Sequence, residues 1–224
     1  KELFLKKSVL PISDKFNIIP NGFDPEDFAS FESKETDSDN FVIRYTGSIS
    51  DQYKADIFLQ ALSAYIKENN IKDIQLSFVG LVSSSIKNKI NELYLSDYFE
   101  HLPTVPHSEI NAYQNNSQML LLAIPEVENA EGILTGKIFE YLACRKPILC
   151  LGPKNGDAAK IIEECGAGQT FERNSVEDIQ SYIDEKYQAY KRGSIHKSKE
   201  DCIQKYNRKN QAEVVFELLK RQGL

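Results

Sequence analysis

The chain has 224 residues, a net charge of −6 and an isoelectric point near 5.3. That length suffices for one full α/β domain with additional helices, and an acidic balance of mixed-sign charges argues against a broad nucleic-acid surface. No apolar run approaches the roughly 20 residues that cross a bilayer, and the first seven residues hold too short an apolar segment for a signal peptide.

The chain opens on Lys rather than Met, which points to a piece of a longer protein. Its four cysteines, Cys144, Cys150, Cys165 and Cys202, have no spacing of the zinc or redox kind. Cys144 and Cys150 sit among apolar neighbours and read as small core residues of a reduced, cytosolic protein.

Asn17 to Phe23 reads as a short strand ending in an Asn-Gly turn, and Asp24 to Asn40 as a polar surface loop with one helical turn. From Phe41 the pattern is regular. Phe41 to Thr46 predicts a strand, and Ala55 to Lys67 a helix carried by Ile57, Phe58, Ala61, Leu62, Tyr65 and Ile66. Ile74 to Val79 is a strand, and Ser84 to Leu95 a helix with Ile86, Ile90, Leu93 and Tyr94 inward. Phe99 to Val105 follows as a strand and His107 to Asn115 as a helix. Ser117 to Ile124 is the next strand, Lys137 to Cys144 a helix, and Pro147 to Leu151 a strand. Asp157 to Glu164 predicts a helix and Gln169 to Glu172 the last strand. Two helical stretches remain, Val176 to Lys191 and Lys197 to Arg221. Polar except for Val214, Val215, Phe216, Leu218 and Leu219, the second needs something to pack against. Strands alternating with helices predict a doubly wound parallel sheet whose ligand lies beyond the carboxyl ends of the strands.

The most informative stretch runs from Gly132 to Ala143. A buried strand turns through small residues into a helix start, and first-turn amides with the helix dipole form an anion site. Lys137 adds a positive charge there, and Glu140 one turn later offers a carboxylate to two hydroxyls. Phosphate and diol recognition at that spacing suggest a nucleotide. Gly47 and Gly136 are read as points of close approach for phosphate.

With these pieces in order, the sequence resembles the C-terminal, donor-binding half of a GT-B glycosyltransferase, of the retaining kind grouped as glycosyltransferase family four (glycosyl transferases group 1). Four segments carry the resemblance: Ile18 to Asp24 with Phe28; Arg44 to Ser48 with Lys54; Leu76 to Gly80; and Gly136 to Ala143 with Lys146 to Leu149. It implies a Rossmann-like sheet forming half of a GT-B fold. Residues 1–40 would lead in as an interdomain strand and loop. Residues 41–174 would be the nucleotide-sugar-binding domain, and 175–224 C-terminal helices packing on an N-terminal domain this chain lacks.

The resemblance also implies a nucleoside diphosphate-sugar donor and no resident cofactor or metal. The acceptor, a glycan or lipid-linked molecule, would be held through the other domain, as in surface polysaccharide synthesis. A cytoplasmic location follows, with room for peripheral association of the full-length protein at the inner face of the membrane. The implied donor contacts are Gly47, Ser48, Lys54, Thr104, Val105, Glu131, Gly132, Thr135, Gly136, Lys137, Ile138 and Glu140, with Lys54 and Glu131 in catalytic positions. Backbone groups near Thr104 and Val105 would read the base, and Glu140 the ribose.

Two departures stand out. Ser48 occupies a position where the family often has Arg, and Glu131 and Glu140 are spaced E-x8-E rather than E-x7-E, with Gly132 at the usual first position. No Asp-x-Asp pair ends a predicted strand; Asp37-Ser38-Asp39 lies in the polar loop. His101, His107 and His196 read as surface or capping residues, and Tyr182, Tyr187 and Tyr190 as helix packing. Two other readings fit the same residues: a nucleotide-sugar 2-epimerase of the same shape, and a non-catalytic interaction domain that keeps the fold.

Overall fold

The computed structural model describes residues 17–29 and 40–221. At its centre lies β1 (Phe41–Thr46), whose six residues are all buried, as a strand covered on both faces must be. β2 (Ile74–Val79) pairs with it in parallel, Phe41 opposite Ile74 and Thr46 opposite Val79. β3 (Phe99–Leu102) lies outside β2. On the other side come β4 (Met119–Ala123), β5 (Ile148–Leu151) and β6 (Gly168–Phe171). The order β3-β2-β1-β4-β5-β6, parallel throughout, is the doubly wound sheet expected from the sequence.

Helices cover both faces. α1 (Glu26–Ala29) is a single turn. α2 (Asp56–Asn69), α3 (Ser84–Glu92), α4 (His107–Asn115), α5 (Gly136–Cys144) and α6 (Asp157–Glu164) connect the strands. α7 (Val176–Lys191), α8 (Glu200–Gln204) and α9 (Arg208–Arg221) follow the sheet. Successive residues of β4 face opposite ways. Leu121 and Ala123 join one core with Ile43, Tyr45, Phe58, Leu62 and Phe78. Leu120, Leu122 and Ile124 join the other with Ile138, Phe139, Leu142, Ile148 and Ile162. α7 sets Ile179, Tyr182, Ile183 and Tyr187 into the first core, so it packs on this domain's own sheet.

Several expectations change. No strand forms over Asn17 to Phe23: Ile18 and Ile19 are exposed, and Phe23 makes a single bridge to Asn207. Tyr94 is 89% exposed with φ +56, because α3 ends at Glu92 and Leu95 takes the inward place. β3 stops at Leu102 because Pro103 has no N–H for the ladder. The expected helix from Lys197 to Arg221 is broken. Asn207 caps α9 by accepting from the Lys209 N–H, and the Tyr206 carbonyl turns away to the Phe23 N–H. Most of the apolar residues of α9, including Phe216 at 58%, stand in solvent.

The cysteines also differ from expectation. Cys144 and Cys150 are free and buried, as read, but Cys165 and Cys202 form a disulfide. It fastens the end of α6 to α8 across 37 positions of sequence, a separation no spacing pattern reveals.

Candidate functional site

β1 and β4 are neighbours whose chain connections run to opposite edges of the sheet, so a crevice opens beyond their carboxyl ends. β1 runs into Gly47, which has φ +100 and donates its N–H to the Val79 carbonyl at 2.7 Å. Gly80, after β2, has φ +126, and a Cβ there would lie 2.6 Å from the Gly47 carbonyl oxygen. Two glycine turns therefore interlock at the rim, where a side chain on either would intrude.

On the other wall Thr135 is the N-cap of α5, in extended conformation. Among the described residues the amides of Gly136 and Lys137 have no protein acceptor, and the buried Thr135 Oγ1 has no partner. The Ile138 amide is occupied by the Thr135 carbonyl at 3.3 Å, and the Ile138 side chain is wholly buried in the core. Ile138 thus offers an incoming group less than the sequence suggested. Two amides, one hydroxyl and the positive end of a helix dipole converge here.

Lys137 turns back from α5 over the β1 turn. Its Nζ donates to the Tyr45 hydroxyl at 2.7 Å and sits 4.2 Å from that ring's centroid. Burial pushes the ammonium down to about 8, and Glu140 partly opposes the shift. Tyr45 donates its own proton to the Ser48 carbonyl at 2.8 Å. A Cβ on Gly47 would lie 2.9 Å from Lys137 Cε, so the glycine leaves room for this cation.

Glu140 lies three residues further along α5. Its Oε2 accepts from Gln114 Nε2 at 2.8 Å, and its Oε1 is 3.4 Å from His107 Nε2. Thr104 and Val105, beyond β3, line a cavity of about 70 Å³ together with Gly47, Ser48, Gly80 and Ile110. The structure thus brings Gly47, Ser48, Thr104 and Val105 into one hollow, and Lys137 against Gly47.

Lys54 and Glu131 stand further out. Lys54 is exposed with φ +47 after the turn Asp51–Tyr53, and Glu131 is exposed in the turn Ala130–Gly132. Neither makes an ion pair among the described residues. The two loops are joined by the Glu126 N–H donating to the Gln52 carbonyl at 2.7 Å. Gly132 is open: among the described residues a Cβ there would meet nothing within 4 Å beyond its chain neighbours. Asp37-Ser38-Asp39 lies outside the described residues. Among the described residues no group of three His, Cys, Asp or Glu side chains could hold a metal ion, and no helix is long and apolar enough to cross a membrane.

Sequence reasoning missed Tyr45, Gln114 and the pairing of His107. His107 is exposed, as read, yet it faces Glu140. A larger cavity, about 530 Å³, opens at the amino ends of the strands between Arg145, Lys146, Lys186 and Tyr190. The end of α5 faces it, with Arg145 donating to the Ala143 carbonyl at 2.7 Å and Lys186 paired with Glu185, and it lies away from the crevice.

The sequence profile of the family described as "Glycosyl transferases group 1" matches residues 26–209. No curated protein sequence matches the chain. Among solved structures, a glycosyltransferase from Rickettsia africae is similar with a TM-score of 0.72 at 19% identity, covering 98% of this chain and 61% of that one. Sucrose-phosphate synthase from Thermosynechococcus elongatus gives 0.69 at 15%, covering 99% and 56%. Anabaena Alr3699/HepE, in complex with UDP and glucose, gives 0.63 at 16%, covering 92% and 57%. The chain therefore spans little more than half the length of the last two, and at these identities the likeness establishes the fold alone.

Proposed function

The chain belongs to the glycosyl transferases group 1 family, and we propose that it is the donor-binding part of a glycosyltransferase. It takes a nucleoside diphosphate-sugar and presents the sugar to a glycan or lipid-linked acceptor held by another domain. The observation that carries this reading is the ammonium of Lys137, partly desolvated at the amino end of α5, with Glu140 one turn behind it. The UDP in the Anabaena complex supports a nucleotide in such a fold.

The diphosphate rests on the Gly136 and Lys137 amides, the Thr135 hydroxyl and the Lys137 ammonium. The pentose hydroxyls meet Glu140, and backbone groups at Thr104 and Val105 read the base. Glu131 and Gly132 face the sugar, and Lys54 supplies a second cation on the facing loop. As the bond from the sugar's anomeric carbon to the β-phosphate oxygen breaks, charge grows on that phosphate. Donors fixed there favour the transition state over the ground state. The reading includes transfer of a hexose with retention, without a metal, in surface polysaccharide synthesis.

Calorimetry with UDP and GDP, on the wild type and Glu140→Ala, tests the site. Equal heats from both proteins would remove Glu140 from it. The chain by itself is expected to bind nucleotide weakly and to transfer little sugar.

Ser48 in place of a basic residue, and the unpaired, outlying Glu131, favour a second reading: an interaction domain without catalysis. Saturating ligand at about a hundred times its Kd adds about 2.7 kcal/mol of stability. Failure of every common nucleotide to raise the Tm would support that second reading.

A further inference from the structure

Glu140 is oriented by a residue from a different helix. Gln114, on α4, is wholly buried. Its side-chain nitrogen donates to Glu140 Oε2 at 2.8 Å and to Thr46 Oγ1 at 3.1 Å, and its carbonyl oxygen accepts from Cys144 Sγ at 3.8 Å. Both N–H groups and one acceptor position are thereby used. A flipped amide would set its carbonyl oxygen against the Glu140 carboxylate, so charge fixes the orientation. Thr46 is held in turn by the Tyr141 hydroxyl, 3.3 Å from its Oγ1. Glu140 itself is on the surface of this network, its side chain 23% exposed with Oε1 outward towards His107.

We propose that Gln114 is a positioning residue for nucleotide recognition. It fixes the plane of the Glu140 carboxylate, so that the lone pairs it leaves free meet the 2′- and 3′-hydroxyls of a ribose. This rests on the reading of Glu140 as the ribose acceptor. A glutamate on a helix surface otherwise has several rotatable bonds to order when a ligand arrives. Gln114 orders them during folding, which lowers the entropy lost on binding.

The test compares UDP with 2′,3′-dideoxy-UDP by calorimetry on the chain and four variants: Gln114→Met, Gln114→Asn, Glu140→Gln and Thr46→Val. The wild type is expected to prefer UDP by about tenfold or more, the size of a hydrogen bond to a charged group. Gln114→Met keeps the bulk but loses both N–H donors, and Gln114→Asn withdraws the amide by one methylene. Both are expected to reduce the preference below about threefold while binding dideoxy-UDP as the wild type does. Thr46→Val disturbs the same buried network but leaves the Gln114–Glu140 bond, and is expected to keep the preference.

General damage to the fold would weaken both nucleotides alike, and that result overturns the proposal. A preference that Glu140→Gln abolishes but both Gln114 variants keep overturns it too, and leaves the ribose role of Glu140 standing. A wild type without preference refutes that role and the proposal together. If both Gln114 variants unfold, the side-chain amide resonances of Gln114 in the wild type decide. They are expected to shift with UDP and not with the dideoxy compound, and an equal shift with both refutes the proposal.

Discussion

The ammonium of Lys137 rests 2.7 Å from the hydroxyl of Tyr45, whose own proton is committed to the Ser48 carbonyl. Tyr45 therefore receives one Lys137 proton, and two remain to be donated elsewhere. Burial brings the ammonium to about 8, so it is charged below that pH and neutral above it. An anion prefers the charged form. Affinity for UDP is thus expected to be full below pH 8 and to fall as pH rises through it. Lys137→Met should lower the affinity about 10- to 100-fold, a loss of about 1.5–3 kcal/mol, and flatten the pH profile. A profile that stays equally steep in the variant would assign the titration to another group.

Gly47→Ala places a side chain at φ +100 and a methyl group 2.9 Å from Lys137 Cε. The backbone strain is expected to cost about 1–3 kcal/mol, and nucleotide affinity should fall as well because Lys137 must move. Gly136→Ala is the contrast, since among the described residues a Cβ there meets nothing within 4 Å beyond its chain neighbours and its own helix backbone. It is expected to leave the Tm unchanged or slightly raised while weakening UDP, because the methyl group stands where a phosphate would approach. Denaturation curves with calorimetry on both variants separate the two effects.

The Cys165–Cys202 disulfide joins residues 37 positions apart in sequence. In the chain-entropy account a loop of that size contributes about 3–4 kcal/mol. A thiol reductant is expected to lower the Tm of the wild type, and the double variant Cys165→Ala/Cys202→Ala should melt at the lower temperature with or without it. Equal melting of wild type and double variant in the absence of reductant would show that the bond contributes nothing.

Phe216 on α9 is 58% exposed and belongs to neither core cluster among the described residues, with Lys220 lying 4.4 Å over its ring. Phe216→Ser is expected to change stability by less than about 0.5 kcal/mol. Phe139→Ala should cost about 3–5 kcal/mol, since that ring is fully buried against Tyr206. Urea titration of the two variants side by side checks the contrast.

The sheet was legible because its central strands are buried on both faces, so Met119 to Ile124 announces itself as an unbroken apolar run and Phe41 to Thr46 as one interrupted at Arg44. The start of α5 was legible because a strand, small residues and a helical period stand in succession. Contacts between separate helices left no such trace. His107 and Gln114 are seven residues apart, two turns on one face of α4, but nothing in that spacing says that Glu140 of α5 lies opposite. Tyr94 read as inward because the helical period carries through it, whereas the left-handed turn there hands the core position to Leu95. The Lys197 to Arg221 stretch read as one helix because capping by Asn207 depends on Phe23, nearly two hundred residues away in sequence.

The contacts around Phe23 reach further. Its N–H binds the Tyr206 carbonyl, its carbonyl receives the Arg208 N–H, and Gln211 donates to the Pro20 carbonyl at 3.1 Å. Gly22 permits this approach, since a Cβ there would lie 2.3 Å from the Tyr206 carbonyl oxygen. Residues 20–23 and 206–211 are thereby buttoned together, like a purse closed at its mouth. The segment that enters the sheet and the one that leaves it are thus tied before either reaches a strand, so loosening Phe23 would free the start of α9 as well.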